Sequence, residues 1–325
     1  MKIAILLFGQ ARFINQTFTH ILEEYDLPKA TVDYFGHFWE KVGYIPDDDI
    51  ESTCDHIPNI KKLLPFKRIT IENNIGIDTL GKSMQILNKA CNCNIPWPGD
   101  IGEMRYYIGQ HYSTAQCYKD IMQYEAENDF KYDIIIKTRT DVVYKNRKCY
   151  ADEKEYNKIK TNKYLNFKTD IPHIKCSAMR ILNYNKSDEH DIKIFYKKKY
   201  TTTSNETKLS NLSYKRRLAI SDWCLIANRQ AAELFYNNWF IAMLGSWRND
   251  LLYKKQHPEQ KWLIRSEQCL QGEIIYNNNI YAEHIERLET KIYNPDRLKP
   301  GLTVRGLINS KEDIQEQLRR RFKYL

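Results

Sequence analysis

Nowhere in the chain do about 18 apolar residues follow one another without interruption, so no segment is long enough to cross a bilayer as a helix. The run from Trp239 to Gly245 is only a short stretch. G-x-S-x-G, the P-loop and G-x-G-x-x-G are also missing, and with them the usual local support for hydrolase, kinase and dehydrogenase readings. The histidines are scattered, with no H-x-x-x-H and no carboxylate-paired spacing. The eight cysteines, at 54, 91, 93, 117, 149, 176, 224 and 269, contain no CxxC pair. No disulfide framework follows from them, and reduced thiols in a cytoplasm are the expectation. Cys91 and Cys93 lack neighbours at zinc-site spacing and read as loop cysteines. No repeat of about 20–50 residues stands out, which argues against a solenoid.

What is present begins with enough apolar material for a core. The chain has 325 residues, 42% of them hydrophobic, and reads as one large α/β domain or two small ones. Its 50 Lys and Arg against 41 Asp and Glu leave a net charge of +9, which favours anionic partners: nucleotides, phosphorylated lipids, anionic membranes or nucleic acid. Much Ile, Asn and Tyr accompanies the lysine, a mix an AT-rich genome also produces, so part of the basicity reflects codon bias. Asn-x-Ser/Thr triplets at Asn15, Asn185, Asn205 and Asn211 are expected in an Asn-rich chain and are read as unmodified.

The opening residues Met1 to Gly9 carry an apolar run too short for a signal peptide and read as a buried first strand. Asn15 is the expected N-cap of a following helix whose apolar face is Phe18, Ile21, Leu22 and Tyr25, ended by Pro28. Strands are expected over 32–39 and 68–71, a helix over 113–128, and an apolar strand over 133–136. This alternation points to a mostly parallel, doubly wound sheet. Residues 145–215 are Lys-rich and weakly periodic and suggest short strands with a mobile loop near 185–215 that serves as an active-site lid. A strand or turn over 222–226, helices over 230–242 and 266–276, and a strand over 280–285 complete the body. From Ser310 to Leu325, Ile314, Leu318, Phe322 and Leu325 alternate with Arg319, Arg320 and Arg321, as in a basic amphipathic helix.

Ligands of open α/β sheets bind beyond the carboxyl ends of the strands, so polar residues at those ends come first. Gly9-Gln10-Ala11-Arg12 follows the first strand: glycine lets a backbone approach closely, and Arg12 suits a diphosphate oxygen or the face of a base. Lys137-Thr138-Arg139-Thr140-Asp141 ends the strand near 133–136, placing a carboxylate beside two cations. A surface ion pair between Arg139 and Asp141 explains that pattern as well. His37 and Trp39 end an aromatic strand and read as core residues.

Five landmarks in order, Gly9-Gln10-x-Arg12, Asp33-x-Phe35-x-His37-x-Trp39, Tyr132-Asp133-Ile-Ile-Ile-Lys-x-Arg139-x-Asp141, Ser221-Asp222-Trp223 and Ser266-Glu267-Gln268, make the sequence resemble GT-A-type glycosyltransferases. The resemblance is to the WavE-like proteins of lipopolysaccharide and polysaccharide synthesis, whose relatives occur in bacteria and large DNA viruses. It implies a GT-A-like, Rossmann-type mixed and mostly parallel sheet flanked by helices, spanning 1–309. Residues 1–145 would hold the nucleotide sugar and 146–309 the acceptor, followed by the basic helix 310–325.

The resemblance implies donor binding by Gly9, Gln10, Arg12, Arg139 and Asp141, with Asp141 holding Mn²⁺ or Mg²⁺ against the diphosphate. Position 139 is Arg where the commoner Asp-x-Asp motif has an acid. Asp222 would take the acceptor hydroxyl's proton and Glu267 would orient the acceptor, a glycan or glycolipid. Asp222 also reads as a cap or turn residue, Glu267 as a carboxylate stabilised at a helix N-terminus, and Trp223 as core. Two other readings remain: a non-catalytic nucleic-acid binder, which lacks any RNP, zinc-finger or helix-turn-helix signature, and a scaffold held to an anionic membrane by the C-terminal helix.

Overall fold

The computed structural model describes residues 1–9, 11, 14–39, 41–42, 52–53, 57–72, 81–82, 85, 104–140, 142–144, 152–168, 170–176, 179–183, 216–220, 224–237, 239–240, 243, 271–272, 274–275, 278–284 and 290–292. The loop near 185–215 and the helix 310–325 expected from sequence lie outside them.

In chain order the strands are β1 Lys2–Gly9, β2 Thr31–Trp39, β3 Lys41–Val42, β4 Ser52–Thr53, β5 Phe66–Glu72, β6 Ile134–Thr138, β7 Val142–Tyr144, β8 His173–Cys176, β9 Met179–Asn183, β10 Arg216–Ile220, β11 Cys224–Asn228, β12 Tyr281–His284 and β13 Thr290–Ile292. The helices are α1 Ile14–Tyr25, α2 Ile57–Leu63, α3 Met104–Glu127, α4 Glu153–Lys160 and α5 Arg229–Tyr236. Seven strands form one mixed, mostly parallel sheet in the order β12, β8, β11, β6, β1, β2, β5. β11 alone in that sheet runs against its neighbours, β6 and β8. Strands from both sides of residue 145 therefore share a single sheet.

β1 and β6 can occupy the centre because they are apolar on both faces. Along β1, Ala4 and Leu6 pack with α3, α5 and Trp239 on one side, while Ile3, Ile5 and Leu7 pack with α1 and α2 on the other. This is the three-layer arrangement of a sheet flanked by helices. Gly36, in β2, leaves room on the second face for the edge-to-face pair Phe38 and Phe66.

Several elements differ from the sequence reading. α1 begins at Ile14, so Asn15 lies in its first turn and is not the cap. The buried face of α1 is Ile14, Thr17, Ile21, Glu24 and Tyr25; its two polar members hide there because other segments supply their partners. α3 starts at Met104 rather than near Ser113. Its first turns bury His111, Ser113 and Thr114, polar residues that mask the helical period in the sequence.

The Lys-rich stretch after residue 150 is ordered in its described part. Asp152 caps α4 by accepting the Glu155 amide at 2.7 Å. A π-helical turn, Thr161–Leu165, follows. Lys160 donates to the carbonyls of Glu23 and Asp26 at the end of α1, at 2.5 and 3.0 Å. Lys175, in β8, donates to Asn162 O at 2.8 Å and lies over the Phe167 ring. Both lysines serve as buried caps on helix carbonyls, the favourable end of the dipole for a cation. Asn228 closes β11 and caps α5 by accepting the Ala231 amide at 3.0 Å. Its side-chain nitrogen donates to Ile171 O at 2.8 Å, tying α5 to the strand connection before β8.

Candidate functional site

From β1 the chain moves to β2 and then β5 on one side of the sheet, whereas the next central strand, β6, lies on the other side of β1. The order reverses between β1 and β6, and in such sheets the crevice at that reversal is where ligands bind. Leu7 pairs with Thr138, so β1 runs two residues further than β6 and ends at Gly9. Cys224, the first residue of β11, pairs with Thr138 from the other side. The described ends of three segments singled out in the sequence thus meet at one edge: the end of β1, the end of β6 and the start of β11. Gln10, Arg12, Asp141, Asp222 and Glu267 lie outside the described residues, as do Ser221, Trp223, Ser266 and Gln268.

Gly9 has φ +88°, and a Cβ built on it meets nothing within 4 Å. Glycine is required there by backbone conformation and not by crowding. Gly9→Ala is therefore expected to lower stability by about 1–2 kcal/mol, the cost of a left-handed alanine. A urea midpoint equal to that of the unmodified protein would show that the turn relaxes.

After β6, Arg139 is half-buried and Thr140 is buried. The Thr17 hydroxyl donates to the Thr140 carbonyl, which fastens the strand exit to α1. The chain is fixed again from Val142, where β7 pairs with β13.

One residue before the end of β6 the side chain of Lys137 is fully buried. Its ammonium lies 4.9 Å from the centre of the Phe8 ring and 4.8 Å from that of Trp239. The Trp239 ring also meets His111, centroid to centroid at 4.8 Å. Burial, helped by the Lys137 charge, holds His111 well below the ordinary histidine range, so its imidazole is neutral at neutral pH. Sequence reasoning noted Lys137 only as a second cation of the strand-end motif. The available signal was a lysine closing an otherwise apolar run.

At the ends of β2 and β5, His37 is fully buried with its Nε2 3.5 Å from Glu72 Oε1. It meets the rings of Trp39 and Tyr112, which stack on each other at 5.7 Å. Burial lowers the His37 pKa, and the neighbouring Glu72 and Asp120 carboxylates oppose that shift. Burial also raises Asp120, whose carboxylate accepts from the Thr70 hydroxyl at 3.1 Å. These groups occupy the same edge as Gly9, since Phe38 pairs with it in register.

Among the described residues no three His, Cys, Asp or Glu side chains gather as ligands for a metal ion. No helix among them is long and apolar enough to cross a membrane. The described residues at the end of β6 are the buried Thr138, the half-buried Arg139 and the buried Thr140. The carboxylate expected to serve a cation there is Asp141.

No protein-family model matches the chain, and no curated protein matches it either. A solved structure, mouse xyloside xylosyltransferase 1 in its apo form, overlaps 88% of this chain and 85% of its own, at 10% identity and a TM-score of 0.36. A likeness at that level carries no argument about this chain. The resemblance to WavE-like transferases therefore rests on the sequence landmarks alone.

Proposed function

We propose that the protein is a glycosyltransferase that moves a sugar from a nucleotide-sugar donor to a glycan or glycolipid acceptor. The observation that carries this reading is the sheet order. Two motif ends chosen from the sequence, Gly9 and Thr138–Thr140, belong to neighbouring strands at the point where the order reverses. The donor's diphosphate would lie over Gly9, with Gln10, Arg12 and Arg139 supplying donors to its oxygens. Asp141 would hold Mg²⁺ or Mn²⁺. Such an ion accepts one or two carboxylates and neutralises charge on the departing diphosphate. Asp222 would accept the proton of the attacking hydroxyl, and Glu267 would orient the acceptor.

The test is a thermal-shift screen against UDP, GDP, CMP and ADP, with and without Mn²⁺ or Mg²⁺, on the unmodified protein and on Asp141→Ala. One nucleotide should raise the melting temperature in a metal-dependent way, since ligand at about 100 times its Kd adds about 2.7 kcal/mol. In Asp141→Ala the metal-dependent part should vanish. No shift with any nucleotide, together with salt-sensitive retention on heparin and DNA, would replace this reading with nucleic-acid binding.

A further inference from the structure

Where β2 and β5 end, the sheet meets α3 through titratable side chains that the proposed reaction does not use. His37 of β2 is fully buried; Thr70 of β5 lies beside it in register, and Glu72 lies beside Trp39. Nε2 of His37 is 3.5 Å from Glu72 Oε1, longer than an ordinary hydrogen bond, and Asp120 of α3 adds a second carboxylate to its field. Both carboxylates already have partners. Asp120 accepts from the Thr70 hydroxyl at 3.1 Å and Glu72 from the Tyr112 hydroxyl, and each bond joins β5 to α3. Among the described residues the other charges facing the cluster are Arg68 of β5 and Lys119 of α3, both acting on Asp120, while β1 places Phe8 beside His37. β5 is the last strand of the sheet and pairs with β2. Its hold on α3 is made of these two bonds and the Arg68 to Glu127 ion pair.

We infer that His37, Glu72 and Asp120 form an acid-sensitive latch: with His37 neutral the edge strand β5 is held against α3, and proton uptake by His37 releases it. The latch requires neither donor nor acceptor, so it stands or falls separately from the transferase reading. A protonated His37 competes with Thr70 and Tyr112 for the two carboxylates, and its buried charge favours an opening that admits water.

The direction follows from burial, which holds His37 below the usual histidine range although both carboxylates oppose the shift. An opened state that exposes the imidazole therefore binds a proton more tightly than the closed state. The contribution of His37 to the closed state is complete above about pH 6.5 and is lost as pH falls toward its lower, closed-state value. Asp120 acts in the opposite sense: burial raises its pKa, so the cost of its charge is relieved as pH falls through that raised value.

Hydrogen exchange of the β5 amides from pH 7.5 to 5, corrected for the intrinsic pH dependence of exchange, tests the latch on the unmodified protein, on His37→Gln and on Asp120→Asn. In the unmodified protein the opening constant of β5 should rise by up to about tenfold per pH unit below about pH 6.5, with a smaller response in β1 and β6. His37→Gln should remove the excess response of β5, and Asp120→Asn, which keeps an oxygen for the Thr70 hydroxyl, should retain it. A flat β5 profile in the unmodified protein would overturn the latch without recourse to any variant. So would an equal response in β1, β5 and β6, the mark of global unfolding, or a response that survives in folded His37→Gln or disappears in folded Asp120→Asn.

Discussion

Glu24→Ala is expected to destabilise the protein by about 3–5 kcal/mol, because it leaves a buried ammonium without its carboxylate. Glu24 and Lys163 are each less than a tenth exposed and form an ion pair between the last turn of α1 and the π-helical turn. The Tyr164 hydroxyl donates to the same carboxylate oxygen, and the Tyr164 ring packs edge-on against Tyr25. The carboxylate is thus satisfied twice, and the layer beneath β1 is built around it. Lys160 closes the end of α1 one turn away, so the loss would loosen the whole junction. The pair's net contribution is a separate quantity: replacing both partners at once, with Glu24→Leu and Lys163→Met, should return stability to within about 1–2 kcal/mol of the unmodified protein. Urea unfolding of the two single variants and the double variant measures the coupling. A cost below about 1 kcal/mol for Glu24→Ala would mean that water reaches Lys163 when its partner is gone.

The second large effect is steric. A Cβ at Gly36 would stand 2.6 Å from Phe38 Cε2, 2.9 Å from Phe66 Cε1 and 3.2 Å from Ile69 Cγ1. Phe38 is fully buried, and its ring is held edge-to-face against Phe66, so it has no free space into which to retreat. Gly36→Ala should cost about 1–3 kcal/mol and Gly36→Val more, from overpacking of a filled layer. Relief should come from Phe66, the more exposed of the two rings: in a Phe66→Leu background the penalty of Gly36→Ala should fall by about half. An unchanged penalty in that background would place the clash on Phe38 alone.

Legibility in the sequence followed the range of the interactions concerned. The first strand was readable because Ile3 to Phe8 are apolar on consecutive positions, a pattern that demands cover on both faces wherever the strand lies. The ends of β1 and β6 were readable too, since glycine and a polar Lys-Thr-Arg-Thr run punctuate apolar segments locally. The start of α3 was hidden because His111, Ser113 and Thr114 face the core and break the apolar period. α4 was not legible in the Lys-rich, weakly periodic stretch after residue 145, because a lysine's sequence neighbours do not show whether a distant carbonyl or carboxylate will receive it. Lys160, Lys163 and Lys175 are buried on partners from α1 and from the π-helical turn.

By itself the sequence determined a mixed α/β chain with apolar central strands, polar strand ends and a cationic surplus, since each follows from residue order and composition. Only the tertiary structure decided that β6 lies beside β1, that β11 enters backwards next to it, and that Lys137 is enclosed between Phe8 and Trp239. Strand order is settled by which apolar faces cover one another across more than a hundred residues of chain, and the charge of a buried lysine is tolerated or not by walls brought from other elements. Neither leaves a mark on the residues next to it in sequence.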